Sequence, residues 1–195
     1  MAPSQLGAFF KSSDEADRAD LEFHIQPMSA DKLGTDLHPF PGITASVCHL
    51  RPQSRGTIHI SGTNASDAPI IDPNYLSEAY DRNVVCRAIE KTRDLMDHSL
   101  LAEFSPSEYK PGRTQKTDDE LVKAAGDVAT TIFHPVGTAK MGLDTDVDAV
   151  VSGKLGVHGV RDLYIADASI VPTITSGNTH APVVMIAERL AEWLD

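Results

Sequence analysis

The chain has 195 residues, 41% of them apolar and 23% charged, and its 17 basic and 28 acidic side chains give a formal net charge of −11. This composition is typical of one or two globular domains and excludes a disordered chain, which would have too little apolar surface to bury. The acidic balance disfavours nucleic-acid binding, because neutralising phosphates requires a basic face. No apolar run approaches the roughly 20 residues that span a bilayer. The N-terminus has no signal-peptide layout, so we expect a cytoplasmic protein with no membrane segment.

The first part of the chain predicts strands. Residues 1–20 are polar without periodicity, which indicates a loop. Residues 21–25 alternate apolar and polar side chains, the period of a half-buried strand. Two further β-branched runs, residues 43–50 and 56–61, are joined by a polar stretch and predict a hairpin or meander. Residues 67–76 contain two prolines and are expected to be extended at most.

Two helices follow in the predicted order. Residues 77–98 place apolar side chains at three- and four-residue spacing, which indicates an amphipathic helix. Thr117 and Glu120 form the sequence pattern of a capping box, in which each residue satisfies a backbone N–H of the other. We therefore predict a second helix over about residues 118–130.

The last part of the chain predicts one strand and one helix. Residues 163–165 are a short apolar run that indicates a strand. Residues 179–194 carry an apolar face at helical spacing, with Thr179 as a plausible N-cap and Pro182 in the tolerant first turn. Early strands followed by interspersed helices predict an α+β fold.

Local motifs exclude several kinds of site. The sequence has no GxSxG, HExxH or GxGxxG motif, the signatures of a nucleophile elbow, a zinc protease and a dinucleotide-binding turn. Cys48 and Cys86 lie in unlike contexts without CxxC spacing, so neither a disulfide framework nor a metal site is predicted. Both cysteines are expected to be buried free thiols.

Two of the eight histidines occur in settings that favour chemistry. His134 lies on an irregular, Gly-rich turn just after a predicted helix, and His180 lies at the start of the last helix. A pair of histidines on rigid turns suits the removal of a proton from a hydroxyl group. From local sequence alone, both a structural and a functional role stay open for the two histidines.

The segments FHPVGTAKMG and LGVHGVRDLYIADASIVPTITSGNTHAPVVMIAERLAEWL decide between these roles. They resemble the C-terminal part of the glucose-methanol-choline (GMC) flavin oxidoreductases, a family that includes choline dehydrogenase and related alcohol dehydrogenases and oxidases. The match is nearly continuous from about residue 131 to 194. The earlier segments APSQLGAFF and LHPFPGITASVCHLRPQSRGTIHI are similar more loosely.

The resemblance implies a role for each histidine. His134 corresponds to the family's histidine in an HPVGT-like motif and would take the hydroxyl proton of an alcohol, while hydride leaves the carbinol carbon for FAD. His180 corresponds to a position that holds His or Asn in the family, and would hydrogen-bond the same oxygen. FAD is required because no side chain accepts a hydride.

The resemblance also implies the flavin contacts and the domain organisation. The cofactor-binding residues carried over from the family are Asp167, Ala168, Thr179, His180, Ala181 and Pro182. Residues 1–150 would form the substrate-binding domain, a mixed or antiparallel sheet with flanking helices. Residues 151–195 would add a C-terminal strand and helix to the FAD-binding domain. The dinucleotide-binding half that precedes this region in the family has no counterpart in the sequence, so the chain alone is expected to bind FAD poorly and to be inactive.

Two alternatives stay open at this point. The chain could be an inactive fragment, or a module that docks onto another chain carrying the FAD-binding half. It could also belong to the hydroxynitrile lyases of the same family, in which flavin is not the redox agent. The histidine pattern does not separate these chemistries.

Overall fold

The computed structural model describes residues 6–32 and 34–195, and it divides the chain into two compact units. The first unit runs to Ser54 and continues over Leu76–Ala129, and the second comprises Arg55–Tyr75 and Thr130–Asp195. Five strands and three α-helices are present in the described part: β1 Leu6–Phe10, β2 Leu21–Gln26, β3 Thr44–His49, β4 Thr57–His59, β5 Ile70–Asp72, α1 Ala79–Met96, α2 Asp118–Val128 and α3 His180–Leu194. Short 3-10 helices occupy Ser99–Phe104 and Ala168–Ile170. This architecture confirms the predicted α+β class.

The first unit is built on a three-stranded antiparallel sheet in the order β1-β2-β3. Phe23 of the central strand faces Ala8 on one side and Val47 on the other, and its side chain is fully buried. The prediction of a loop over residues 1–20 is wrong for residues 6–10, which form β1. Residues 1–5 lie outside the described residues. The side chains of β1 are largely exposed and do not alternate between apolar and polar. Its pairing with β2 is made by backbone groups, so the sequence shows no strand periodicity here.

The predicted hairpin between residues 43–50 and 56–61 is also wrong. β3 pairs with β2, whereas β4 pairs antiparallel with β5 and belongs to the second unit. The chain between β3 and β4 is diverted because the backbone N–H groups of Gln53 and Ser54 donate to the buried carboxylate of Asp81, at 2.7–3.1 Å. β5 occupies the proline-flanked segment that was expected to be extended at most.

Both central helices are confirmed within two residues of their predicted bounds. α1 packs Val84 and Ala88 against Leu21 and Phe23 of β2, and these four side chains form the core of the first unit. At the start of α2 the capping box is complete: Thr117 accepts from the Glu120 backbone N–H, and the Glu120 carboxylate accepts from the Thr117 backbone N–H.

The second unit has its own core, centred on Val151, Leu155 and Ile170, with Ile186 and Leu190 of α3 packed against it. α3 confirms the predicted C-terminal helix. The predicted strand at residues 163–165 reduces to an isolated bridge between Gly156 and Tyr164, because the paired stretch is too short to form a ladder. Across the described ranges, no helix combines the length and the apolar character needed to cross a bilayer.

The compact units do not follow the predicted division at residue 150. The Ala139 N–H donates to the Ser169 carbonyl and the Met141 N–H to the Ile170 carbonyl, at 2.9 and 2.8 Å. These hydrogen bonds join the stretch after residue 130 to the C-terminal segment, and both parts lie in the second unit. The assignment of each part to substrate or FAD binding stays a prediction.

Cys48 and Cys86 are both free thiols, of which Cys86 is buried and Cys48 half-buried. Burial, with a smaller contribution from Glu22, raises the pKa of Cys48 to about 11. Burial also raises the pKa of Cys86, whose thiol contacts the Asp118 carbonyl oxygen at 3.5 Å. Thiols with raised pKa values are poor nucleophiles, so both behave as structural side chains.

A partly buried arginine fastens the long connection between α1 and α2. Arg93 donates through two nitrogens to the Glu108 carboxylate, at 2.9 and 3.0 Å. It also donates to the backbone carbonyls of Gly112 and Gln115, each at 3.0 Å. The Arg93 side chain is 17% exposed and that of Glu108 12%, so solvent screens this pair far less than a surface ion pair.

We expect Arg93→Lys to lower the free energy of unfolding by about 2 kcal/mol, because an ammonium group cannot reproduce the two-pronged contact and both carbonyl bonds. Urea unfolding followed by circular dichroism measures the change. The control is Arg87→Lys on the same helix, whose exposed pair with Glu90 should contribute no more than about 0.5 kcal/mol. Equal effects of the two substitutions would contradict this role for Arg93.

His49 and Asp81 form a buried pair in the first unit, with 3.6 Å between His49 Nδ1 and Asp81 Oδ1. Burial lowers the pKa of His49, with Arg51 acting in the same direction, and this outweighs the opposing effect of Asp81 and Asp20. Burial alone would raise the pKa of Asp81, but hydrogen bonds from Ser54 and Gln53 and the proximity of His49 hold that pKa below its ordinary value. The folded unit therefore favours neutral His49 beside ionised Asp81.

This pair makes stability depend on pH. The unfolded chain protonates His49 below about pH 6.5, whereas the folded chain does so only at lower pH, so the free energy of unfolding should fall as pH drops through 6.5. The contribution of Asp81 is lost only below about pH 4, outside this window. Urea unfolding between pH 7.5 and 5 measures the slope, and His49→Gln should reduce it. An unchanged slope in the variant would assign the dependence to other groups.

Candidate active site

The turn that carries His134 is shaped by two residues with left-handed backbone angles. Phe133 has φ of 64° and Gly137 φ of 90°. The Thr131 hydroxyl accepts from the Phe133 N–H at 3.0 Å, which supports the strained residue. Pro135 follows His134 and keeps it out of helical geometry. The histidine is thus presented from an irregular turn, as predicted from the sequence, and it is half-buried.

The segment after this turn lies along the short 3-10 helix Ala168–Ile170, through the Ala139 and Met141 hydrogen bonds described above. Asp167 is the N-cap of that helix, and its carboxylate accepts from both the backbone N–H and the hydroxyl of Ser169. Asp167 is exposed and Ala168 half-buried. The Asp167 side chain is therefore engaged locally, and a cofactor contact at these two residues stays a prediction.

The His134 ring is held at both nitrogens by residues that precede α3. Its Nδ1 lies 2.8 Å from the Thr179 hydroxyl oxygen, and its Nε2 lies 3.0 Å from the Asn178 amide nitrogen. Thr179 is buried, with 6% of its surface exposed, whereas Asn178 is exposed. This arrangement brings two of the motif segments together within one compact unit.

Thr179 occupies the N-cap position of α3, as predicted, but its side chain makes no capping hydrogen bond. Its hydroxyl contacts His134 instead. The backbone N–H groups of His180 and Ala181 consequently have no capping side chain, and Pro182 has no N–H to satisfy. The helix thus begins with uncapped hydrogen-bond donors on two exposed residues.

His180 is the first residue of α3 and its side chain is exposed. No hydrogen bond to its ring occurs within the described ranges, so its role as a second active-site residue stays a prediction. Asn178 is the residue that sequence reasoning missed. No local signal identifies it, because its amide contacts the ring of His134, 44 residues earlier in the chain.

The donor set at the start of α3 fits the pyrimidine side of a flavin. The uncapped N–H groups of His180 and Ala181, together with the positive end of the helix dipole, suit an electron-rich carbonyl oxygen. Within residues 6–32 and 34–195, no group of three or more His, Cys, Asp or Glu side chains is arranged to hold a metal ion.

Comparisons with known proteins agree on the family. The sequence model of the GMC oxidoreductases matches residues 52–187. An alcohol dehydrogenase (acceptor) of Pseudomonas putida is 41% identical over 97% of this chain and 34% of its own length. An oxygen-dependent choline dehydrogenase of Citrobacter koseri is 36% identical over 96% of this chain and 33% of its own. The crystal structure of pyridoxine 4-oxidase from Mesorbium loti superposes with a TM-score of 0.87 at 30% identity, covering 98% of this chain and 38% of that one.

The chain therefore belongs to the GMC oxidoreductase family, which confirms the resemblance seen in its motifs. It spans about a third of the length of the curated relatives it matches.

The His134 turn should be sensitive to a side chain at Gly137. An alanine there would have an unfavourable positive φ, and its Cβ would lie 3.3 Å from the Val171 carbonyl oxygen. We expect Gly137→Ala to lower the free energy of unfolding by about 1–2 kcal/mol. Gly153→Ala is the control, because a Cβ at Gly153 meets no atom within 4 Å and its φ is not positive. If both variants unfold alike in urea, the turn does not require a glycine.

Proposed function

We propose that the chain is the C-terminal part of an FAD-dependent oxidoreductase that oxidises the CH–OH group of an alcohol to a carbonyl. The observation that carries this proposal is the His134 imidazole held at both ring nitrogens by Thr179 and Asn178. An imidazole fixed in this way is suited to receive a hydroxyl proton, because a general base must be within hydrogen-bond reach and correctly oriented. The similarity to named alcohol and choline dehydrogenases supports the same reaction.

In this mechanism His134 removes the hydroxyl proton of the substrate, and the exposed Asn178 amide gives up its place at the ring nitrogen to the substrate oxygen. His180 donates a hydrogen bond to that oxygen and orients it. When bound, FAD supplies the hydride acceptor that no side chain can provide. Residues Thr179–Pro182 would hold the flavin ring, with the backbone N–H groups of His180 and Ala181 as donors, and Asp167 and Ala168 would lie along its phosphate and ribityl region.

The proposed substrate is a small primary or secondary alcohol, either choline-like or of another kind. The P. putida relative is named an alcohol dehydrogenase and the C. koseri relative a choline dehydrogenase, and both names support oxidation of CH–OH groups. Hydroxynitrile lyase activity finds no support among these names. A cytoplasmic location stays a prediction from the sequence.

We further propose that a dinucleotide-binding portion, on the same polypeptide or another chain, completes the FAD site. Exposed apolar side chains in the second unit support this. Ile58, Ile60, Ile70 and Ile71 on or beside the β4–β5 ribbon are 44–86% exposed, and Met185 of α3 is 55% exposed. Large exposed apolar groups of this kind are typical of surfaces that another part of a protein covers. In this proposal the segment 151–195 belongs to the FAD-binding domain.

The test joins this chain to the FAD-binding portion of the P. putida relative. The fused protein should bind flavin, seen by its visible absorbance, and oxidise alcohols with a dye as acceptor, whereas the chain alone should be colourless. Stoichiometric flavin on the chain alone would contradict the need for a second portion. Cleavage of a cyanohydrin without alcohol oxidation would contradict the proposed reaction.

In the fused enzyme we expect His134→Ala to lower turnover by about 10²- to 10⁴-fold while flavin stays bound, because the proton acceptor is lost. His180→Asn is the matched variant and should have a milder effect, since a carboxamide still donates a hydrogen bond to the substrate oxygen. Steady-state kinetics and flavin absorbance measure both. Unchanged turnover in His134→Ala would remove His134 from the mechanism.

A further inference from the structure

We infer that Thr179 and Asn178 are positioning residues that hold His134 in the tautomer with its hydrogen on Nδ1, which leaves the lone pair of Nε2 free to act as the base. The tautomer is a property of this chain alone. Its importance for proton removal rests on the proposed function.

The inference follows from which atoms can donate. The Asn178 amide nitrogen only donates, so Nε2 of His134, 3.0 Å away, must accept. A neutral imidazole that accepts at Nε2 carries its hydrogen on Nδ1. The Thr179 hydroxyl oxygen, 2.8 Å from Nδ1, then accepts that hydrogen. The Asn178 contact thus fixes the tautomer, and the Thr179 hydroxyl, which can donate or accept, is compatible with it.

The Thr179 and Asn178 contacts with His134 differ in how easily another group can replace them. Thr179 is buried, so water competes weakly for its hydroxyl, and its bond to Nδ1 can persist throughout turnover. Asn178 is exposed, so a substrate hydroxyl can replace its amide at Nε2 without the burial of an unpaired group. The arrangement separates a lasting contact on the orienting nitrogen from a replaceable one on the reactive nitrogen.

Comparison of the two threonines at N-cap positions in the described chain shows that the Thr179 hydroxyl does not cap its helix. Thr117 has extended backbone angles, φ −83° and ψ 155°, and its hydroxyl caps α2. Thr179 has φ −84° but ψ −9°, and its hydroxyl makes no bond to the N–H groups of α3. The residue type and helix position are the same, yet the local backbone sends the hydroxyl of Thr179 to His134.

Nitrogen-15 labelling of the histidines in the full 195-residue chain tests the inference. Two-dimensional proton–nitrogen correlation through the ring hydrogens distinguishes the two tautomers of each histidine. His134→Gln identifies the His134 signals by their disappearance from the set of eight histidines. We expect wild-type His134 to show the pattern of a hydrogen on Nδ1.

Thr179→Val should shift His134 towards the tautomer with its hydrogen on Nε2, and Thr179→Ser, which keeps the hydroxyl, should retain the wild-type pattern. A merely structural role for Thr179 would perturb the other histidines of the second unit as well, whereas orientation of the ring changes only the His134 signals. Loss of the wild-type pattern in Thr179→Ser would overturn the inference.

Asn178→Asp provides a second variant, at an exposed position. A carboxylate only accepts, so hydrogen should appear on Nε2 of His134. An unchanged pattern in this variant, or a hydrogen on Nε2 in the wild type, would overturn the inference. The spectra need neither substrate nor flavin, so they test the tautomer independently of the reaction. If the chain shows hydrogen on Nδ1 but the fused protein oxidises no alcohol, the proposed function is contradicted and the tautomer inference stands.

Discussion

The hydrogen bond between the Thr179 hydroxyl and His134 Nδ1 joins two segments that are 45 residues apart in the chain. One segment is an irregular turn with two left-handed residues, and the other is the entry to the last helix. Neither has regular secondary structure to fix the direction of a side chain. A buried hydrogen bond is strong enough to do so, because breaking it would leave an unpaired polar group away from water. This contact fixes the His134 ring relative to the start of α3.

The same contact has a consequence for α3. A threonine at the N-cap normally satisfies a backbone N–H of the first turn, and its absence from that role lowers helix stability by about 1 kcal/mol. Here the uncapped N–H groups of His180 and Ala181 become donors that a cofactor carbonyl can use. Packing of Ile186 and Leu190 against the core of Val151, Leu155 and Ile170 stabilises the helix and offsets the missing cap.

Sequence reasoning succeeded where side chains follow a period. The helices over Ala79–Met96 and Asp118–Val128 were predicted closely because an apolar face and a capping box are local signals. β1 was missed because its pairing is made by backbone groups, and the β3–β4 hairpin was wrong because a distant carboxylate, Asp81, redirects the chain. In the site, His134 and His180 were singled out by their local sequence settings, and the family resemblance supplied their proposed roles. The contacts of Asn178 and Thr179 with His134 depend on folding of remote segments, which no local pattern encodes.

The division into compact units explains why the site can be described from this chain at all. The turn with His134, the short helix after Asp167 and the start of α3 all belong to the second unit. Their mutual geometry is therefore set by hydrogen bonds within one core, such as the one from Met141 to Ile170. A boundary at residue 150 would have separated His134 from Thr179. Because Thr130–Asp195 lies within one compact unit, contacts inside that unit position the His134 ring relative to the start of α3.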